Sequence, residues 1–133
     1  MEQPNSTQVK PAIRIVAILL ALPYLIIGIK ELISPIGIDV TFGIPLNHQD
    51  GLQYLRVVGA RNIVLSLLGI YFASTRVRST MIAFFLGLAL MAALDCYLVT
   101  SSVGFTSASI KHSFFVCLLV GMAGWVYFSK HNK

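Results

Sequence analysis

The chain has 133 residues, of which 56% are hydrophobic and only 11% charged, with a formal net charge of +5. Soluble domains carry roughly 25% charged residues, so charge is too sparse here to coat a soluble sphere; the mean hydropathy of +0.81 agrees, and lipid is the expected solvent. Ten scattered basic residues leave no nucleic-acid footprint, so no nucleic-acid partner is expected and positive charge reads as a topology signal.

Residues Met1 to Lys10 form a polar tail, and Pro11 suits the first turn of a helix. The apolar run Ala12 to Ile33 is long enough to span a membrane, which takes about 20 residues. It ends in GIKELISP without a small-x-small cleavage pattern, so it reads as a retained helix rather than a signal peptide. Pro23 inside it is expected to kink it. Ser34 to Gly51 is a connector rich in Gly and Pro, for which a membrane-surface segment or a fold over the helix ends is expected. Three further spans are expected over about 52–73, 80–100 and 110–128, joined by STRVRS and by the uncharged SSVGFTSAS, with a tail at 129–133. The expected fold is all-α, a single polytopic bundle of four transmembrane helices over 12–128. No repeat, nucleotide-binding glycine loop or zinc-ligand spacing occurs, and no cofactor or metal is implied.

With four spans, the end carrying the termini holds Lys10, Arg14, Arg76, Arg78, Lys130 and Lys133. The other end mixes Lys30, Arg56 and Lys111 with Glu31, Asp39 and Asp50. The positive-inside rule then sets both termini in the cytoplasm. Small residues recur at helical spacing in the second span (Gly59, Asn62, Ser66, Gly69) and the fourth (Ser113, Cys117, Gly121, Gly124), stripes that let helix backbones approach closely in lipid. Cys96 and Cys117 lie in apolar runs without a CxxC pair and read as small buried hydrophobes, with a redox pair as the lesser alternative.

The polar residues within the spans carry the functional question, because a charge at the bilayer centre costs about 2.5–3.5 kcal/mol or more. Arg61 and Asn62 lie in the second span and Asp95 in the third, while His112 opens the fourth and Glu31 closes the first. At 1.5 Å of rise per residue, Arg61 sits about 12 Å below its end of the bundle, Asp95 about 8 Å, and Glu31 and His112 within about one turn. All four helices thus bring a polar group to the half away from the termini. Arg61 and Asp95 are the natural pair, through a fork-to-carboxylate contact. His112 is placed to bond Asp95 or to carry a proton, and Asn62 to make an interhelical hydrogen bond. Lys111 and Arg56 read as interfacial snorkellers, and His48 and Asp50 as solvated loop residues.

The segments LLALPYLIIGIKELISP, FGIP and YLRVVGARNIVLSLLGIY, followed by ALMAALDCYLV and SIKHSFF, resemble the domain-of-unknown-function 4267 family of small membrane proteins over nearly the whole chain, and more distantly the DoxX-like four-helix proteins. The resemblance implies a G-x-R-[DN] element at Gly59, Arg61 and Asn62, an acid at Asp95 and a histidine at His112. Where the family often has Asp after the arginine, this chain has Asn62, which removes one acid; Ser66 stands where the family often has Gly. Members resemble accessory proteins of lipophilic-metabolite biosynthesis.

Three functions compete. The first is an intramembrane enzyme or accessory subunit acting on a lipophilic small molecule by isomerisation, cyclisation or hydrolysis. Asp95, His112 and Arg61 would be its catalytic set and Asn62 and Glu31 its ligand contacts. The second is a structural or assembly subunit in which the polar set is glue. The third is a small multidrug-type transporter, disfavoured because its sites usually lie near the midplane and Arg61 would repel cations. Membrane lipid, a lipophilic small molecule and a second copy of the chain are the candidate partners. The expected location is a membrane crossed several times: inner or plasma membrane in a bacterium, an endomembrane in a eukaryote.

Overall fold

The structure, a computed structural model, describes residues 8–36, 43 and 49–129. Asp39, His48, Lys130 and Lys133 lie outside the described residues, as do the side chain of Asp50 and the N-terminal tail before Gln8. The chain is all-α, with helices α1 (Pro11–Ile33), α2 (Gln49–Thr75), α3 (Arg78–Val103) and α4 (Ser107–Phe128). Each is long and apolar enough to cross a membrane. The protein is therefore a multi-pass membrane protein, as its composition requires.

Local sequence sets the helix ends. Pro11 opens α1, where its missing N–H is no loss, and the helix runs on through Pro23. The α2–α3 link shortens to Arg76 and Val77, with Arg76 in the left-handed region at φ 64°. Gly104 stops α3 at φ +79°, its N–H bonded to the Thr100 carbonyl, a conformation that favours glycine. Ser109 opens α4 by accepting from the Thr106 N–H at 3.3 Å, and it is fully buried.

The helices associate in two pairs. α1 lies along α2 and α3 along α4, while α2 and α3 touch far less. Interhelical hydrogen bonds follow the pairing. In the first pair, Arg14 Nε donates to the Ala73 carbonyl at 2.6 Å, and just outside the helices the Val9 N–H donates to the Arg76 carbonyl at 3.1 Å. In the second, Arg78 Nε donates to the Val126 carbonyl at 3.0 Å, and its guanidinium lies 5.7 Å from the Tyr127 ring centre. Arg14 and Arg78 thus satisfy carbonyls near the ends of α2 and α4, where the helix dipole also favours a cation. Both were expected only as topology signals; each also closes a helix.

The apolar core sits in the half that carries the termini. Ile13, Ala17, Ala73, Met81, Phe85 and Val126 are buried there together. Leu19, Leu67, Leu90 and Phe114 point outward, as lipid-facing side chains should.

The two small-residue stripes behave differently. Gly59, Asn62, Ser66 and Gly69 are all buried. A Cβ added at Gly59 would stand 2.7 Å from the Gly28 carbonyl oxygen, and one at Gly28 would stand 2.8 Å from the Gly59 oxygen. The α1–α2 crossing is therefore backbone against backbone. The expectation fails on α4. There Ser113 reaches Cys96, but Cys117 and Gly121 are exposed, and a Cβ at Gly121 or Gly124 would meet nothing within 4 Å. The packed face of α4 carries Leu119, Met122, Ala123 and Val126 instead, so the contact lies on a different side of the helix. Cys96 and Cys117 are both free, and no disulfide joins them.

Candidate functional site

A cavity of about 340 Å³ lies between the two helix pairs, within the rough range of 300–1,000 Å³ for small-molecule sites. All four helices line it at helical spacing. The α1 wall runs from Ala17 through Tyr24 to Glu31, and the α3 wall from Met81 through Leu88 to Asp95. Each of those walls is 14 residues of rise, about 21 Å. The half toward the termini is apolar, walled by residues such as Leu20, Phe85 and Leu119. The far half holds the polar groups: Glu31, Arg61, Asn62, Asp95 and His112 line it together. Every residue singled out in the sequence as a site candidate thus borders one space.

Two contacts organise these groups. Asn62 Nδ2 donates to Glu31 Oε2 at 2.8 Å, both residues being buried. The Gly28–Gly59 approach explains why. The two helices run antiparallel, and Glu31 is level with Gly59, whose added Cβ would stand 2.8 Å from Glu31 Cβ; Asn62 is one turn along α2 on the same face, so the close backbones bring the two side chains into reach. The expected interhelical role of Asn62 is met with Glu31 as its partner. Ser66 is bonded to the Asn62 carbonyl at 2.8 Å within α2.

Arg61 meets Asp95 differently. Its NH2 lies 3.6 Å from Asp95 Oδ2, an ionic contact longer than a hydrogen bond. The expected fork on the carboxylate does not form. Arg61 Nε is buried and has no hydrogen-bond partner among the described residues. The cause is the pairing of the helices: Arg61 belongs to the first pair and Asp95 to the second, and the cavity separates them. The side chains are 36% and 15% exposed, so neither is fully sealed. A guanidinium with five donors and one loose ionic partner among the described residues retains capacity to bind an oxyanion or carbonyl oxygen.

Three polar wall residues, Tyr24, Ser66 and Lys111, stand beside the five expected ones. Tyr24 sits seven residues before Glu31 on the same stripe of α1, a spacing that two helical turns explain. Ser66 was read only as a small packing residue. Lys111 was read as a snorkeller; it is exposed and also borders the cavity. Arg56 is exposed and its NH1 bonds Gln53 Oε1 at 3.4 Å on its own helix.

Beside the site, α3 and α4 share a smaller hydroxyl and thiol cluster. Thr100 Oγ1 donates to Ser109 Oγ at 3.0 Å, and Cys96 Sγ lies 3.3 Å from Ser113 Oγ. Among the described residues no three of His, Cys, Asp or Glu are grouped to hold a metal ion.

A four-helix membrane protein with a central cavity, apolar toward the termini and polar at the other end, is the class these features define. The chain belongs to the family described as Domain of unknown function (DUF4267), which matches residues 21–126. That span includes all five candidate site residues and agrees with the resemblance read from the motifs. No curated protein and no solved structure matches the chain.

Proposed function

We propose that the protein holds a lipophilic small molecule in this cavity and acts on it, as an enzyme or as an accessory subunit, through acid–base chemistry at its polar end. The observation that carries the reading is the convergence of Glu31, Arg61, Asn62, Asp95 and His112 from four helices on one cavity wall. A purely structural network has no need of an open space beside it, and it would draw Arg61 onto Asp95 at hydrogen-bond distance. Here the pair stands at 3.6 Å, and Arg61 Nε has no hydrogen-bond partner among the described residues. In this reading Arg61 holds an anionic or carbonyl oxygen of the bound molecule. Asp95 and His112 move the proton, and the Glu31–Asn62 bond fixes the wall. The basic residues near the termini favour an orientation with the polar half toward the outer leaflet.

The test is native mass spectrometry of the protein extracted gently from its host membrane, wild type beside Arg61→Ala. A lipophilic molecule carried by the first and absent from a folded second supports the reading and gives the compound class. The competing reading, glue, makes a different forecast. Under it Arg61→Met with Asp95→Leu restores the stability lost in either single variant and leaves cellular function intact. A double variant that is both stable and fully functional would retire the proposed site.

A further inference from the structure

The cavity's walls differ in exposure. On α2 and α3 its lining residues are all buried or half-buried, whereas its exposed lining residues, Pro23, Ile27 and Lys111, come from α1 and α4. The opening therefore lies between α1 and α4, the first and last helices, on the side of the bundle that faces lipid. Pro23 and Ile27 lie about 9–15 Å along α1 from its far end, and Lys111 about 6 Å along α4. This places the gap within the bilayer rather than above it. Tyr24 and Phe115 meet across it edge to face, with ring centres 5.5 Å apart.

The space is elongated: about 340 Å³ is strung along about 21 Å of helix, a length that suits an extended hydrocarbon chain. Polarity is graded along the same axis. Arg61 and Lys111 supply cationic donors at the polar end, while Phe84, Phe85 and Leu88 wall the shaft. Glu31 is held by Asn62, and Arg61 Nε has no hydrogen-bond partner among the described residues.

We infer that the ligand is a single-chain amphiphile with an anionic head, entering sideways from the leaflet between α1 and α4. Its head meets Arg61, with Lys111 at the mouth, and its chain lies down the apolar shaft. Opening requires Tyr24 and Phe115 to part. The inference rests on the cavity being a ligand site and adds the chemical class and the route.

The experiment is photolabelling of the purified protein in lipid nanodiscs with a medium-chain carboxylic acid bearing a diazirine near its tail end. A photoactivatable sterol runs in parallel, and adducts are mapped by peptide mass spectrometry. Expected adducts fall on shaft residues such as Leu20, Phe85 and Leu88. Dodecanoic acid and dodecyl phosphate should compete, the stronger of them naming the head group, and dodecanol should compete about tenfold less or worse, since hydrogen bonds to a charged head would be lost. Arg61→Gln should weaken competition by a similar factor. Ile27→Trp, which narrows the gap without touching the polar end, should slow labelling even if the arginine variant fails to fold. Adducts confined to lipid-facing residues such as Leu19 and Leu90 would overturn the inference, and so would equal competition by dodecanol. Shaft labelling by the sterol alone would overturn it while leaving the cavity a ligand site. Shaft labelling by neither probe would remove both.

Discussion

Replacing Gly59 by alanine tests the architecture at its tightest point. The new Cβ would stand 2.7 Å from the Gly28 carbonyl oxygen, 2.8 Å from Glu31 Cβ and 2.9 Å from the Leu32 amide nitrogen. Two of those atoms are backbone and cannot rotate aside. Carbon contacts rest about 3.5–4.0 Å apart, so α1 must retreat by roughly 0.7 Å or more. Overpacking of this kind costs about 1–3 kcal/mol. The retreat also stretches the 2.8 Å Asn62–Glu31 bond, of a type that contributes about 0.6 kcal/mol on average between membrane helices. A loss of about 2–3 kcal/mol follows. Gly121→Ala is the matched control. Its Cβ meets nothing within 4 Å, so only helix propensity acts and the change is neutral or stabilising by up to about 1 kcal/mol. Reversible unfolding in mixed micelles, followed by the fluorescence of the single tryptophan, Trp125, measures both. If the two substitutions shift the midpoint in the same direction, or if Gly59→Ala is as stable as wild type, the close α1–α2 crossing is refuted.

Three further outcomes are expected. Asn62→Leu leaves the buried Glu31 carboxyl without its donor and should cost about 1–3 kcal/mol; Glu31→Gln keeps an acceptor for Asn62 and should be nearly neutral in the same titration. Arg14→Met removes the 2.6 Å bond to the Ala73 carbonyl, so amide exchange should quicken around 74–77 for a global loss of only about 0.3–1 kcal/mol. Gly43 has φ +102° and a Cβ there would overlap Ala108 Cβ, so Gly43→Ala should lower Tm by clash and by left-handed strain of about 1–2 kcal/mol; adding Ala108→Gly should recover the first part and not the second.

The spans were legible because apolar length is a strong signal, and Arg61, Asn62, Asp95, Glu31 and His112 stood out because charge inside a span is costly. Depth counting alone brought them to one half of the bundle. Partner choice was less legible. Arg61 and Asp95 lie within about one turn of the same depth, yet their separation depends on α2 and α3 belonging to different packed pairs, which no spacing along the chain encodes. The α4 stripe misled for a related reason. Small residues at Ser113, Cys117, Gly121 and Gly124 mark one side of a helix, but periodicity does not say which side meets a neighbour, and Leu119 and Met122 took that place. Arg14 and Arg78 were visible as charges; their carbonyl partners lie 59 and 48 residues away, beyond local reading.

The confinement of bonds to the helix pairs bears on how the protein is made. The bonds of Arg14, Val9 and Asn62 all close once residue 76 has emerged, and those of Arg78, Thr100 and Cys96 involve only later residues. Each hairpin can therefore enter the bilayer with most of its polar groups already satisfied. Arg61 is the exception. Its ionic partner Asp95 belongs to the second hairpin, so that contact can form only when both hairpins are in place. The residue that lines the cavity thus also ties one hairpin to the other.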